Sequence, residues 1–186
     1  RFQFAPATQS PCYPRGMTHE AGCKCAICGA AIPDPPLDYA YKLPDCVFAL
    51  SAEQRSPRCN EDFAEMGERK FVRGLLPVPI EGGEEFRYGV WVEVDRDTFE
   101  RVVRVWNDAA AYRTLTFSGR IANAFPPFGQ RTVDVLVDLA TRDEKSRPFV
   151  IHSREPWLVG LLARGWTHRE HLDVAQALRA TVTRRH

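Results

Sequence analysis

The chain has 186 residues, 44% hydrophobic and 26% charged, with a formal net charge of +1. That balance fits one soluble globular domain with room for a sizeable core, and it excludes both a disordered chain and a broad phosphate-binding field. No apolar run reaches the ~20 residues of a membrane span.

The first sixteen residues, RFQFAPATQSPCYPRG, have no periodicity and lack the charged start and apolar centre of a secretory signal. Residues 1–16 read as a disordered leader or a misassigned start ahead of Met17. Residues 17–186 read as one α+β domain, with a cysteine-bearing segment over 17–60 and a sheet-and-helix core over 67–186. Six cysteines without a secretion signal indicate thiols or metal ligands in a reducing cytoplasm rather than disulfides.

Cys25-Ala-Ile-Cys28-Gly29 places two thiolates two residues apart, and its glycine permits the tight turn between ligands. This is half of a tetrahedral zinc site, structural in role. Cys46 and Cys59 are available to complete it, with Cys23 and His19 as alternatives. Unligated thiols are the competing reading. A redox pair is disfavoured because no strand–CxxC–helix pattern surrounds the motif.

Pro33, Pro35 and Pro36 force an extended entry into a stretch whose Tyr39, Tyr41, Leu43, Val47, Phe48 and Leu50 can cover a sheet edge. Ser51 with Gln54 opens a short helix, and Asn60 or Asp62 caps another turn carrying Phe63 and Met66. Phe71 to Ile80 is β-prone, Glu81-Gly82-Gly83-Glu84 turns, and Phe86, Tyr88, Val90, Val92 and Val94 alternate with polar positions and Trp91. This is a hairpin with a buried stripe. Pro77 and Pro79 cannot donate to a ladder, which places the end of the first strand at an edge or outside the sheet.

Asp97 with Glu100 marks a helix start, and Phe99, Val102, Val103 and Trp106 follow at helical spacing. That helix is expected to lie across the hairpin and bury Trp106. After a connection over Asn107 to Tyr112 come a strand from Leu115 towards Ile121, a rigid loop Phe125-Pro-Pro-Phe128-Gly129 with two exposed aromatics, and strands over Thr132 to Leu139 and Phe149 to Ile151. Glu155-Pro156 opens a helix with Trp157, Leu158, Leu161 and Leu162 as its stripe, stopped by Gly165. Thr167 and Glu170 form a capping box for a last helix that buries Leu172, Ala175, Leu178 and Val182. The sum is a mainly antiparallel sheet of about five strands with packed helices and a small N-terminal cysteine knuckle.

No nucleophile elbow, phosphate-cradling loop or dinucleotide fingerprint is present. His168 and His171 are spaced as solvated helix-start histidines, since HREH matches no zincin spacing. Asp134 and Asp138 read as a polar sheet face. One polar cluster remains: Arg73, Arg87, Trp91, Glu93, Arg120 and Asn123 lie on or beside the central strands. Arg87, Trp91 and Glu93 share the face opposite the Phe86–Val94 stripe. Arg beside Trp suits an anionic or planar ligand or a protein partner. The competing reading is internal Arg–Glu pairing with a helix over Trp91.

Cys25-x-x-Cys28-Gly29, Tyr41-x-Leu43-Pro44-Asp45, Phe71-x-Arg73-Gly74, Pro77-x-Pro79 and Phe86-x-x-Gly89-Val90-Trp91-Val92 together resemble a bacterial family, domain of unknown function 2199, over roughly Cys25 to Arg179. Members of that family often carry a histidine soon after the CxxCG and an HPLA-like segment near the end. Here Ala31-Ile32 and Glu155-Pro156-Trp157-Leu158 stand in those places. The resemblance implies the fold and a cytoplasmic setting and brings no activity. The leading expectation is therefore a non-catalytic cytoplasmic binding or regulatory protein of the immunity type, with a protein partner and a structural zinc. The alternatives are a metal-dependent hydrolase using the cysteine site and a weak nucleic-acid-binding module, against which the near-neutral charge speaks.

Overall fold

The structure, a computed structural model, describes residues 23–24, 31–32, 36–51, 54 and 59–183. The expected leader and the Cys25–Cys28 turn lie outside the described residues. The elements run β1 (Cys23–Lys24), β2 (Ala31–Ile32), β3 (Asp38–Ala40), α1 (Asp45–Phe48), β4 (Phe63–Met66), β5 (Arg69–Ile80), β6 (Glu84–Val94), α2 (Arg96–Val105), α3 (Ala109–Tyr112), β7 (Thr116–Ile121), β8 (Leu136–Ala140), β9 (Phe149–Ser153), α4 (Pro156–Arg164) and α5 (His168–Thr183). No helix among the described residues is long and apolar enough to cross a membrane.

The expected hairpin is β5 and β6, paired antiparallel from Lys70–Val94 to Ile80–Glu84. Its stripe is buried as the alternation requires, with Phe86, Tyr88, Val90 and Val92 fully enclosed. Strands β7, β8 and β9 continue antiparallel from β6, and β9 returns to β5 as a parallel neighbour at Leu75–Phe149. The expected open sheet of about five strands is thus a seven-stranded sheet in which β5 to β9 close into a barrel, while β3 and β4 extend it from β6 and β5. Closure gives each of β5 to β9 a neighbour on both sides and encloses one face of every barrel strand, leaving β3 and β4 as the edges.

Closure has a local requirement at Gly119. A Cβ there would stand 2.5 Å from the Glu93 carbonyl oxygen and 2.6 Å from Val92 Cγ1, so only glycine lets β7 cross β6 this closely.

Pro77 and Pro79 keep their register on β6 opposite Arg87 and Glu85. The neighbouring odd-numbered amides, of Arg73 and Leu75, donate away from β6, to the Asp62 and Pro148 carbonyls. The prolines lack an N–H on that same flank, beyond the point where β9 pairs; there the Pro79 carbonyl accepts from the Trp166 amide and Ile80 bridges Trp166, so the flank is covered rather than an open edge.

Several local expectations shift. Asp95 rather than Asp97 caps α2, its carboxylate accepting from the Thr98 amide at 2.7 Å. Trp106 is half-buried at the end of α2, edge-on to Phe63 and Tyr112. Phe63–Met66 is a strand, because Asn60 Oδ1 accepts from the Asp62 and Phe63 amides and turns the chain into β4. The stretch ahead of β8 holds a 3-10 turn at Gln130–Thr132 and a left-handed Asp134 with φ of 64°, so the strand starts at Leu136. The Thr167–Glu170 capping box is present and reciprocal, at 2.8 Å and 3.2 Å.

Candidate functional site

The six polar-cluster residues divide into an inner and an outer set. Residues 36–50 cross the outer face of β6 and cover Trp91, which is fully buried with Asn123, while Arg73 is 9% exposed. The Tyr41 carbonyl accepts from Trp91 Nε1 at 3.0 Å and from the Arg73 guanidinium at 2.7 Å. Asn123 Oδ1 accepts from the Trp91 amide at 2.8 Å, and its Nδ2 donates to the Leu43 carbonyl and to Asp45 Oδ1, both at 3.0 Å. These three side chains are spent on holding the 41–45 segment to the barrel. Burial pushes the Arg73 guanidinium down to about 10, with Arg147 adding to the effect.

The outer three form separate pairs. Arg87 meets Asp38 at 2.8 Å, Glu93 meets Arg69 at 2.5 Å, and Arg120 donates to the Asp134 carbonyl at 2.9 Å. The structure therefore does not bring the six together as one exposed face: the covering segment and these pairings separate them.

Of the expected zinc ligands, Cys25 and Cys28 lie outside the described residues. The short strands β1 and β2, which pair antiparallel, flank in sequence the segment that carries them. Cys46 and Cys59 are free, half-buried thiols that pack against the hydrophobic core. Burial pushes the Cys46 thiol up, opposed by the Arg69 charge. Among the described residues no three His, Cys, Asp or Glu side chains converge as a metal cluster.

Asp138 sits between Ser118, whose hydroxyl donates at 2.6 Å, and His152, whose Nδ1 lies 3.1 Å away. The Ser118 bond is the largest of the contacts that hold the Asp138 carboxyl below its usual range. Hydroxyl and imidazole share one carboxylate here rather than contacting each other. The arrangement therefore does not activate the serine as a base-paired nucleophile would be activated.

His171 departs furthest from the expectation of a solvated histidine. It is 4% exposed, stacks on Trp166 at 13° between planes, and lies 3.3 Å from the Pro36 carbonyl through Nε2. Burial pushes its pKa down.

Beside this stack opens a cleft of about 530 Å³ between α4, α5 and the Pro127–Phe128 loop. Phe128, Trp157, Leu161, Trp166 and Val174 make it largely apolar. Phe128 and Trp157 lie 4.5 Å apart, and the Arg131 guanidinium sits 5.2 Å from the Trp157 ring centre. Arg164 grips Glu170 through two bonds, at 2.9 Å and 3.1 Å. Arg164, followed by the Thr167 amide, pulls the Glu170 carboxyl down to about 2. The Trp157 indole N–H is buried without a partner among the described residues. Gly160 faces open space: a Cβ there would meet nothing within 4 Å. The aromatic-proline loop and the helical stripe at Trp157 and Leu161 were visible in the sequence; that they face one another was not.

The fold and cleft define a class: a closed β-barrel carrying C-terminal helices, with an aromatic ligand-sized cleft where those helices meet the barrel. The chain belongs to the bacterial family described as an uncharacterized protein conserved in bacteria (DUF2199), whose pattern matches residues 24–157, more than half of the chain. The match stops at Trp157, short of the expected Arg179, so most of α4 and all of α5 lie beyond it. Comparison with curated proteins and with solved structures finds no match.

Proposed function

We propose that this chain is a non-catalytic binding or regulatory protein whose ligand places an apolar group in the cleft between α4 and α5. The observation that carries this reading is Gly160. A glycine inside a helix is destabilising by about 1 kcal/mol relative to alanine, yet among the described residues nothing comes within 4 Å of the position a Cβ would take there. A volume of about 530 Å³ with aromatic walls and a polar rim is of the size and character of small-ligand sites.

N-phenyl-1-naphthylamine, a neutral fluorescent probe, is expected to bind at one equivalent. Gly160→Leu, filling the cleft, is expected to weaken it at least about tenfold, the effect of losing roughly 1.4 kcal/mol, whereas Gly160→Ala stabilises the fold. Probe affinity unchanged in a folded Gly160→Leu protein sinks the reading.

A structural zinc accompanies this proposal, with Cys25, Cys28, Cys46 and Cys59 as its ligands. Protein prepared without chelator is expected to carry one zinc per chain and to lose it in a Cys25→Ser/Cys28→Ser variant. Cobalt substitution would then give a closed, thiolate-rich tetrahedral spectrum. Metal-free protein from a zinc-replete preparation refutes the site.

A further inference from the structure

We infer that His171 is an acid-sensitive latch that docks α5 onto the barrel and so holds one wall of the cleft in place. The inference stands on the packing around the imidazole and goes beyond the binding reading above.

Three separate parts of the chain meet at this ring. Trp166, from the link between α4 and α5, stacks on it at 13° between planes, and Phe86 of β6 meets it edge-on at 5.4 Å between ring centres. The Pro36 carbonyl, at the start of the segment that crosses β6, lies 3.3 Å from Nε2 and is the ring's one hydrogen-bond partner among the described residues. The same helix carries Glu170, Asp173, Val174 and Ala177 into the cleft wall, and Trp166 lines the cleft as well. Loss of the His171 packing therefore loosens that wall.

The neutral imidazole fits this enclosure. With its proton on Nε2 it donates to Pro36, and a second proton on Nδ1 would find no acceptor among the described residues. The charged groups that face the ring are few. Glu84, at the start of β6, favours the imidazolium, and His168, one turn earlier on α5, opposes it; the Pro36 carbonyl favours it. Burial outweighs Pro36 and Glu84 together and pushes the pKa down. An imidazolium would gain some attraction from the two aromatic rings, so a titration of the ring itself is the direct test. Undocked, the ring regains the ordinary histidine pKa of about 6.5. A ring that is neutral when docked then takes up a proton on undocking once the pH lies below that value. The latch is at full strength above it and weakens as the pH falls below it.

Hydrogen exchange at the buried α5 positions Leu172, Val174 and Ala175, corrected for the intrinsic rate at each pH, reads how often the helix undocks. Between about pH 7.5 and about pH 5.5 that opening constant is expected to rise, by up to about tenfold for one proton taken up. Glu170, held down to about 2 chiefly by Arg164, keeps its charge across that range. His171→Gln, which can still donate to Pro36, is expected to flatten the dependence, and His168→Gln to retain it. The Val90 and Val92 amides of β6 are the reference, since a rise shared with them would report global unfolding. NMR titration of the imidazole in the unaltered chain needs no variant to fold, and is expected to give a pKa below the ordinary histidine value.

A His171 pKa at or above that ordinary value overturns the inference. So does α5 exchange that stays flat with pH, that rises equally in β6, or that keeps its pH dependence in His171→Gln. None of these readouts uses a cleft ligand, so a failure of probe binding sinks the binding reading alone.

Discussion

Gly165→Ala is expected to lower stability by about 3 kcal/mol or more, the sum of backbone strain and a steric clash. Gly165 ends α4 at φ 71° and ψ −156°, a region that essentially only glycine occupies. A Cβ there would also stand 2.2 Å from the Pro79 carbonyl oxygen. That closeness has a purpose in the fold. Pro79 accepts from the Trp166 amide at 2.8 Å, and the Trp166 carbonyl accepts from Glu81 at 2.8 Å, so the chain leaving α4 is tied to the end of β5. Any shift that relieves the clash moves Trp166, which lines the cleft and stacks on His171.

Gly129 supplies the control. Its φ of 58° and ψ of −138° lie near the same region, but a Cβ there meets nothing within 4 Å. Gly129→Ala should therefore cost only the strain, about 1–2 kcal/mol. Urea midpoints of the two variants, with equal slopes, separate the terms. Equal losses at the two sites would show that α4 and β5 part easily and that the clash costs nothing.

Asn123→Ala is expected to be comparably damaging, at about 3 kcal/mol, because it leaves a buried Trp91 amide and a Leu43 carbonyl without their Asn123 partners. Asn123 is fully enclosed, so water cannot replace the lost bonds without opening the structure. Asn123→Asp keeps an acceptor for the Trp91 amide but loses the donor to Leu43 and sets a second carboxylate against Asp45 Oδ1, which Asn123 Nδ2 meets at 3.0 Å. Its penalty should grow as pH rises and the introduced carboxyl takes up its charge beside Asp45. The readouts are chemical denaturation and hydrogen exchange of the Trp91 amide. A loss below about 1 kcal/mol, the worth of a single ordinary hydrogen bond, with that amide still protected, would mean that the 41–45 segment is held by packing alone.

These variants also explain why the candidate site was only partly legible beforehand. Arg beside Trp on a strand face is a fair sign of a binding surface. The Trp91 contact that overrides it comes from Tyr41, fifty residues away in sequence. Asn123 reaches Leu43 across eighty. Alternation along β6 shows that Trp91 faces opposite Val90 and Val92, but not that another part of the chain covers that face. His171 is the same case: its spacing from His168 carries no sign that Phe86 and Pro36 would enclose it.

What the sequence determined by itself is the set of pieces whose causes are local. Period-two alternation and a glycine turn produce the β5–β6 hairpin. A proline in the first turn and Gly165 bound α4, and Thr167 with Glu170 opens α5. These follow from residues within one turn or one pleat of each other, so a single sequence contains them. Barrel closure, the covering of Trp91 and the cleft came only with the tertiary structure. Each depends on which buried face meets which, and hydrophobic burial has no direction of its own. It marks a face as needing a partner. The partner is chosen by distant shape, such as the close crossing at Gly119 that brings β7 onto β6 and the approach of Gly165 to Pro79 that sets α4 beside β5.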